Sequence, residues 1–477
     1  MKLKITSWAA SPIFALLTTI VLLIAPVAAQ AQMTLDSMLN RTLDSMKTLL
    51  NVKSLSAAMQ LPDAAVWSHA KGISGGSLLA TPDKVYLIGS VTKTMTSACI
   101  LQLAEQNVLN LDDSLSRWVS PLPTQINPNI TIRQLLRHQS GIYDVLSNPN
   151  CQPALQANMT RIWQPEELIT AFIGNPVFAP GTDWQYSNTN YMLLAMIIKQ
   201  ATGNPFHTEL RNRFFTPLTM NTIAIPAFET LISPVAHIWI DLNGDGVLDN
   251  ANSFYMGWKS LNSAAGAAGG YFATPSDVTR WMRTYMRGDL LSAASMAQAK
   301  TTVMAPGLPG ASYGLGLMKK SFIGYEGYGH GGDLSYTASS WYFPAKDVSI
   351  TVFANDASIN SWALAPVIAA LLKTYTRWQT LVPTANFSAT ADFTAYPNPF
   401  SDNIAVNLNA PSAQISGLKF SLYNALGELV AVNKTPNFDA NNAIFDAERL
   451  AKLPAGIYFL NIDTPEMAQK TVKMVKK

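Results

Sequence analysis

Residues 86–103 read YLIGSVTKTMTSACILQL, and the second half of this stretch has helical periodicity. Residues three apart share one face of a helix, so Ser90 and Lys93 are predicted to meet at its first turn. A buried lysine can lose its proton near neutral pH, because desolvation lowers its pKa. Neutral Lys93 could then accept the Ser90 proton and make the serine a nucleophile. Taken alone, a Ser-x-x-Lys pair more often marks a capping serine and a surface lysine.

A second polar group lies in residues 180–191, which read PGTDWQYSNTNY. The Pro-Gly turn places Tyr186 and Asn188 on a loop before the helical run 192–200. A tyrosine phenolate beside a cationic lysine can act as a general base, and the asparagine can donate a hydrogen bond to a substrate amide carbonyl. In isolation, the two residues fit a packed aromatic ring and a capping asparagine better.

The third group is GHGGD at residues 329–333. Its three glycines, Gly332 among them, allow a strand backbone to approach a ligand closely. A backbone N–H near Asp333 could complete an oxyanion hole together with the N–H of Ser90. His330 could hold a carboxylate or polarise the tyrosine, although a single histidine is more often structural.

The order of these groups, with their flanks, resembles a known family. IGSVTKTMTS, ITIRQLLRHQSGI, FAPGTDWQYSNTNY and YGHGGDLSYTASSWYF are similar to the class C β-lactamase and DD-peptidase-like serine hydrolases. The resemblance covers nearly all of residues 32–380. It implies an α+β, β-lactamase/transpeptidase-like fold, in which an antiparallel sheet is flanked by helices and accompanied by a helical subdomain.

The same resemblance implies a role for each polar group. Ser90 would be the acylated nucleophile, and Lys93 with Tyr186 the acid/base pair. The substrate-binding residues would be Asn188, His330, Gly332 and Asp333. The histidine stands where class C β-lactamases have the lysine of Lys-Thr-Gly. This departure favours DD-peptidase, D-amino-acid peptidase or esterase-like chemistry over efficient β-lactam hydrolysis.

Composition excludes several other classes of protein. The 477 residues are 48% hydrophobic and 13% charged with a formal net charge of +3, which rules out intrinsic disorder and leaves no basic footprint for nucleic acid. Residues 1–31 combine two early lysines, an apolar run at 13–25 and the small-residue end Ala-Gln-Ala, which predicts a secretory signal peptide. The run is short for an uncleaved membrane anchor, and no later run is long and apolar enough to cross a bilayer.

The chain ends in a region of short strand-like segments. After a linker predicted at 381–391, residues 392–477 alternate between apolar and polar positions among Gly, Asn and Pro turns, which predicts a small all-β sandwich. YPNPF, LYNALGELV, LPAGIYFL and the basic end resemble the C-terminal sorting domain of type IX secretion in Bacteroidetes. The resemblance implies passage through the periplasm, the type IX machinery as a partner, and a secreted or cell-surface protein. A carbohydrate-binding β-module is the alternative.

Three further stretches invite other assignments. GISGG at 72–76 matches a nucleophile elbow, but Pro82 leaves no room for the helix that an elbow requires, so a hairpin turn is predicted. LLRHQSGI at 135–142 ends a helix and is predicted to be scaffold. Cys99 and Cys151 could form a bridge in an oxidising compartment, or stay as buried thiols.

DLNGDGVLD at 241–249 resembles the start of a calcium loop. Its candidate ligands are Asp241, Asn243, Asp245 and Asp249. Asn252 stands where such loops have a bidentate glutamate, so a metal-free hairpin turn and a structural calcium site both stay open. No zinc-protease motif is present, and no cofactor is required by the expected chemistry.

These patterns together predict an exported serine hydrolase that forms an acyl-enzyme on Ser90. The expected substrates are small molecules or peptides: D-Ala-type peptides, small esters or β-lactams. A non-catalytic binding or sensor protein with the same fold, or a surface adhesin, is the alternative.

Overall fold

The structure is a computed structural model that describes residues 34–62, 64–251 and 258–381, together with parts of the C-terminal region. Those parts are 393–396, 398–401, 404–408, 419–424, 428–433, 437–439, 442–444, 450–463 and 470–476. The predicted signal peptide lies outside the described residues, as does the predicted linker apart from its first residue. Across the described part of the chain, no helix has the length and apolarity needed to span a membrane.

The described chain forms two compact units. One is Arg41–Lys373, and the other joins the residues up to Asn40 with those from Thr374 onward. The domain boundaries expected from the sequence, 32–380 and 392–477, stay predictions.

A nine-stranded antiparallel sheet is the framework of the larger unit. The strands of this unit are β1 (Ser54–Gln60), β2 (Trp67–Gly75), β3 (Leu78–Leu79), β4 (Tyr86–Leu87), β5 (Trp239–Ile240), β6 (Asp249–Asn250), β7 (Phe272–Ala273), β8 (Val303–Met304), β9 (Ala311–Tyr313), β10 (Met318–Phe322), β11 (Tyr325–Leu334), β12 (Tyr336–Phe343) and β13 (Val348–Ala354). The sheet order is β3-β2-β1-β13-β12-β11-β10-β9-β8. Every residue of β12 and β13 is buried, because both faces of the sheet centre are covered. The buried hydroxyls of these strands have hydrogen-bond partners, such as Ser340 Oγ with Thr351 Oγ1 at 2.8 Å and Ser349 Oγ with the Thr279 carbonyl at 2.8 Å.

Helices cover the sheet and form a helical region between β4 and β8. The helices of the chain are α1 (Leu35–Leu50), α2 (Thr92–Glu105), α3 (Leu115–Trp118), α4 (Ile132–Leu136), α5 (Cys151–Ala157), α6 (Pro165–Phe172), α7 (Thr189–Thr202), α8 (Phe206–Leu210), α9 (Lys259–Gly269), α10 (Pro275–Arg287), α11 (Ala293–Lys300) and α12 (Ala365–Leu381). Short 3₁₀ turns occur at Gly89–Val91, Val145–Ser147 and Ser361–Leu364, and a π-helical turn at Arg211–Phe215. The α+β class, with an antiparallel sheet and a helical region, is as predicted.

The central helix α2 is buried on nearly all sides. Eleven of its fourteen residues are buried, and several of the buried hydroxyls donate to carbonyls, as Thr96 Oγ1 does to Ala267 at 2.8 Å. It packs against α7 and α9, and α10 packs on β1 and β13. The helix α10 begins with a good cap, since the Thr274 hydroxyl accepts from the Asp277 N–H and a proline follows at the first helical position.

The C-terminal region is a separate, small all-β region. Its strands are β14 (Phe393–Tyr396), β15 (Ala405–Leu408), β16 (Lys419–Asn424), β17 (Leu429–Asn433), β18 (Asn437–Asp439), β19 (Asn442–Ile444), β20 (Gly456–Asp463) and β21 (Lys470–Lys476). They form two four-stranded antiparallel sheets, β14-β15-β19-β18 and β17-β16-β20-β21. A core of its own contains Phe400, Ile404, Leu422, Leu450, Tyr458, Leu460, Val472 and Met474. The strand-rich region expected from the sequence is therefore confirmed.

The GISGG motif is a hairpin turn, as predicted. It lies at the end of β2, which turns directly into β3. Ser74 is fully buried, and its hydroxyl accepts a hydrogen bond from the His237 backbone N–H. A serine in this position is structural. Cys99 and Cys151 are both buried free thiols, so the structure contains no bridge between them.

Candidate active site

The predicted contact between the serine and the lysine is present. Ser90 lies in the 3₁₀ turn that leads into α2, and Lys93 lies in the first turn of that helix. Lys93 Nζ is 3.0 Å from Ser90 Oγ. The serine is partly exposed, whereas the lysine is fully buried. The lysine therefore lies in the protein interior, and the serine is open to a cleft.

Lys93 is held by three oxygen atoms. Besides the serine, its Nζ donates to Asn188 Oδ1 at 2.8 Å and to the Ala268 carbonyl at 2.7 Å. The carbonyl belongs to the last turn of α9, a helix that is kinked at Gly266, where φ is +39°. Burial lowers the pKa of Lys93 to about 7, against a smaller opposing attraction from Asp144. A large part of the lysine population is therefore neutral near pH 7.

Tyr186 closes the other side of the lysine. The Lys93 Nζ lies 4.8 Å from the centre of the Tyr186 ring and 5.3 Å from that of Tyr191. Burial of the hydroxyl raises the pKa of Tyr186 well above its ordinary value, although the nearby Ser90 hydroxyl lowers it slightly. The phenol oxygen makes no hydrogen bond of ordinary geometry to any described group. Tyr186 is therefore a neutral phenol at rest, with its hydroxyl available.

Asn188 is fixed by a carboxylate that no sequence motif indicates. Its Nδ2 donates to Asp144 Oδ2 at 2.8 Å. Asp144 caps the 3₁₀ turn that follows it, since its Oδ1 accepts from the Leu146 N–H at 3.1 Å. Burial raises the pKa of Asp144, while hydrogen bonds from Asn188 and Leu146 lower it. Nothing in the local sequence pattern marks Asp144, because its partner is 44 residues away.

Two histidines and a tyrosine form a buried hydrogen-bonded chain behind Tyr186. His138 Nε2 is 3.3 Å from the Tyr313 hydroxyl, which lies 2.9 Å from His330 Nε2. His330 Nδ1 is 2.5 Å from the Gly331 carbonyl, which can only accept, so Nδ1 is assigned the proton and Nε2 accepts from Tyr313. The Ser187 N–H donates to His138 Nδ1 at 3.1 Å, so His138 Nε2 is the donor to Tyr313. The hydrogen bonds therefore all donate in one direction, from His138 through Tyr313 and His330 to the Gly331 carbonyl.

Both histidines are neutral because they are fully buried. Burial, followed by the charge of Lys93, lowers the pKa of His330 to about 3. The pKa of His138 is lowered well below its ordinary value, again mainly by burial. The His138 ring stacks on that of Tyr186, with 4.2 Å between ring centres. The assignment of residues 135–142 to scaffold alone is thus incomplete, and the RHQSGI motif was the signal that could have revealed it.

The glycines of GHGGD allow two backbones to touch. An added Cβ on Gly332 would collide with the Ile88 carbonyl oxygen and lie 3.1 Å from the Ser90 nitrogen. A Cβ on Gly89, which has φ of +52°, would lie 3.0 Å from the Asp333 nitrogen. Strand β11 therefore runs directly alongside the serine turn, with the backbone nitrogens of Ser90 and Asp333 on adjoining segments.

The Asp333 side chain is anchored at the cleft edge. Its two carboxylate oxygens accept from the backbone N–H and the hydroxyl of Ser361, both at 2.6 Å. Desolvation raises the pKa of Asp333, and the two bonds from Ser361 oppose this effect. Ser361 also packs on Gly331, where an added Cβ would lie 2.5 Å from its hydroxyl oxygen. No motif in the sequence indicates Ser361.

These groups line one cleft of about 250 Å³. Its walls are formed by Gly89, Ser90, Leu146, Tyr186, Asn188, Ala265, Ala268, Gly269, Leu308, Met318, His330, Gly331, Asp333, Leu334, Ser361 and Trp362. The residues predicted for catalysis and substrate binding all meet here, since Lys93 lies beneath the serine and Gly332 behind it. Among these described lining residues, the only side chain that carries a formal charge is Asp333.

The predicted calcium loop lies outside this cleft. It forms the hairpin turn between β5 and β6. The Asp241 carboxylate accepts from the N–H groups of Gly244 and Gly246, and Asp249 Oδ2 accepts from the Leu242 N–H. Asn243 and Asp245 accept from backbone N–H groups within the same turn. No cluster of three or more His, Cys, Asp or Glu side chains suited to a metal ion occurs among the described residues. Asn252 is outside the described residues, and bound calcium stays a prediction.

A model of the beta-lactamase family matches residues 51–371, which is more than half of the chain. The chain belongs to the β-lactamase family. Proteins similar to this chain include a D-alanyl-D-alanine-carboxypeptidase/endopeptidase and a D-stereospecific amidohydrolase, and the protein is a β-lactamase-fold member of a serine hydrolase family. The predicted family and fold are confirmed.

Several named proteins are similar to this β-lactamase-family chain. The D-alanyl-D-alanine-carboxypeptidase/endopeptidase AmpH of Escherichia coli is 26% identical over 244 residues, which cover 50% of this chain and 58% of AmpH. A D-stereospecific amidohydrolase structure from Streptomyces sp. is 28% identical with a TM-score of 0.58, over 66% of this chain and 94% of that one. The D-amino acid amidase of Ochrobactrum anthropi SV3 has a TM-score of 0.63 at 24% identity, over 72% of this chain and 99% of the amidase. The last shows the fold alone. The chain spans little more than half the length of AmpH.

A second family model, the secretion system C-terminal sorting domain, matches residues 394–477. The match confirms the type IX sorting domain predicted for the C-terminal region. The β-lactamase-family protein is therefore secreted or displayed at the cell surface.

Proposed function

We propose that the protein is an exported serine hydrolase that works through an acyl-enzyme on Ser90. The observation that supports this most directly is the buried Lys93, whose amine touches the serine and has a pKa of about 7. A neutral amine has two N–H donors and one lone pair. The donors suit Asn188 Oδ1 and the Ala268 carbonyl, and the lone pair suits the Ser90 O–H. Lys93 is thus placed to act as the general base.

The proposed reaction balances its protons within the site. Ser90 Oγ bonds to the substrate carbonyl carbon, and its proton passes to Lys93. The neutral Tyr186 phenol donates its proton to the leaving group as the bond to that group breaks, and the Lys93 ammonium restores the phenol. Water or an amine then attacks the ester with the same groups in reverse roles. This sequence uses side chains and backbone of this chain and needs no cofactor.

Two backbone N–H groups are proposed to hold the oxyanion. Ser90 N and Asp333 N lie on adjoining backbones, because glycines at 89 and 332 permit that approach. Donors fixed where negative charge develops stabilise a tetrahedral intermediate, and one such donor contributes roughly 3–4 kcal/mol in a known hydrolase. Asn188, which lines the cleft, is proposed to contact the substrate as well.

The charge of the cleft orders the substrate candidates. D-Ala-terminated peptides and β-lactams carry a carboxylate close to the scissile bond. Among the described lining residues no cation is available to pair with it, because His330 is neutral and Lys93 is occupied beneath the serine. Asp333 would instead repel a carboxylate and attract an ammonium group. We therefore place amides and esters of D-amino acids first, and D-Ala-type peptides and β-lactams after them. The names of the Streptomyces and Ochrobactrum relatives agree with this order.

Intact-mass spectrometry tests the acyl-enzyme. The mature protein is incubated with a fluorophosphonate and, separately, with a penicillin, and the expected result is an adduct that Ser90→Ala abolishes. Ser74→Ala, in the GISGG hairpin, is the matched control and should keep the adduct. Turnover of D- against L-amino acid amides, with and without a carboxylate beside the scissile bond, then tests the substrate order. A folded protein that forms no adduct with either reagent would support a non-catalytic binding protein instead.

Delivery outside the cell is proposed to use the type IX secretion machinery. The sorting domain at 394–477 supports this partner. Removal of residues 392–477 should leave the protein inside the outer membrane of a type IX-competent host, as detected by fractionation.

A further inference from the structure

Asp144 is connected to the catalytic lysine through one amide group. The Asn188 side chain donates through Nδ2 to Asp144 and accepts through Oδ1 from Lys93, with both distances 2.8 Å. An amide has one donor end and one acceptor end. A carboxylate accepts only, so its presence at one end decides which end faces the lysine. A rotated amide would set its N–H₂ donors against the ammonium donors of Lys93.

The loop that carries Asp144 is clamped to the start of α7. The Thr189 hydroxyl donates to the Tyr143 carbonyl at 2.8 Å and accepts from the Val145 N–H at 2.9 Å. Both neighbours of Asp144 are therefore tied to the residue that follows Asn188. The carboxylate itself accepts from the Leu146 N–H. This double attachment holds the aspartate and the asparagine in fixed relation.

We propose that Asp144 is a positioning residue that keeps the acceptor end of the Asn188 amide on Lys93 and sets the proton affinity of that lysine. The inference rests on the proposed acyl transfer at Ser90. Asp144 does not touch the reacting atoms; it acts through Asn188 and through its charge.

The electrostatic surroundings agree with this role. The titratable groups that face Lys93 are Tyr186, Tyr191, His138, His330 and Asp144. The tyrosines and histidines are neutral, and the carboxylate is the group whose attraction raises the pKa of Lys93 against the stronger effect of burial. The groups that face Asp144 are Lys93, Tyr186 and the thiol of Cys151, of which only the lysine can be cationic. Loss of the carboxylate charge should therefore lower the pKa of Lys93 further.

The test is the rate of Ser90 phosphonylation by a fluorophosphonate between pH 5 and 9, in which the serine oxygen displaces fluoride from phosphorus. Asp144→Asn keeps the shape of the side chain and removes its negative charge. Asp144→Glu keeps the charge, and its longer side chain displaces the Asn188 amide. We expect Asp144→Asn to lower the plateau rate at least about tenfold and to move the midpoint of the pH profile about one unit lower. Asp144→Glu should lower the plateau with the midpoint near that of the wild type. Asp277→Asn is the matched control, since Asp277 is a buried carboxylate that accepts from Thr222, and it should change neither value.

The outcomes separate this inference from the function on which it rests. Wild-type plateau and midpoint in folded Asp144→Asn would overturn the positioning role while leaving the acyl-enzyme intact. Absence of labelling in the wild type at every pH would overturn the acyl-enzyme and the inference together. If circular dichroism shows that Asp144→Asn does not fold, Asp144→Glu decides. Its lowered plateau would support the inference, and an unchanged plateau would overturn it.

Discussion

Replacement of Lys93 by methionine should change the pH dependence of stability in a defined direction. Methionine fills a similar volume and carries no charge. Lys93 is fully buried, with a pKa of about 7 in the folded protein against an ordinary value of 10.5. The difference of about 3.5 units corresponds to about 5 kcal/mol by which burial disfavours the charged form.

The sign follows from proton binding. Below pH 7 the lysine is charged in both states, and the folded wild type bears the full penalty. Between pH 7 and 10.5 the unfolded lysine keeps its proton and the folded one has lost it. The unfolded state then binds more protons, so wild-type stability rises with pH relative to Lys93→Met. From pH 6 to pH 9 the free energy of unfolding of the wild type, minus that of Lys93→Met, should rise by about 2.5 kcal/mol.

Urea unfolding of both proteins at pH 6, 7.5 and 9, at one ionic strength, measures this change. The two proteins share the C-terminal unit, so its contribution cancels in the difference. Lys259→Met, at an exposed position at the start of α9, is the control and should show no such trend. A difference between wild type and Lys93→Met that stays constant within about 0.5 kcal/mol over this pH range would refute a strongly depressed lysine pKa.

Four further experiments probe the rest of the site and the 241–249 turn. Gly332→Ala should displace the serine turn, because the new methyl group meets the Ile88 carbonyl. We expect about 1–3 kcal/mol of destabilisation in urea and a reduced rate of Ser90 labelling. Unchanged labelling would contradict the close approach of the two backbones. Tyr313→Phe removes the hydroxyl that bonds to Nε2 of His138 and to Nε2 of His330, and it should destabilise the protein by about 1–3 kcal/mol in thermal melts. Unchanged stability would show that this buried hydrogen-bonded chain is dispensable for folding. Chelation with EDTA should leave Ser90 labelling unchanged, and loss of labelling would count against a metal-free reaction. A rise in melting temperature on adding calcium, abolished by Asp241→Asn, would assign the ion to the 241–249 turn.

Local sequence was sufficient for the residues that meet within a turn or a strand. Ser90 and Lys93 are three residues apart, so helical geometry alone brings them together. The glycines of 329–333 and the hairpin at 72–76 are equally local, because each depends on backbone freedom at its own position. The resemblance of the flanking motifs supplied the family and the sheet-and-helix architecture, which composition and periodicity alone did not.

The sequence by itself thus determined the contact between Ser90 and Lys93, the Tyr186–Asn188 loop and the sorting domain. Only the tertiary structure decided what surrounds the lysine. The Ala268 carbonyl that holds it comes from 175 residues away, and the partner of Asn188 comes from 44. His138 and Tyr313 likewise join across 175 residues. The physical reason is that a pKa near 7 arises from burial among distant segments, and burial is a property of packing that no local spacing encodes.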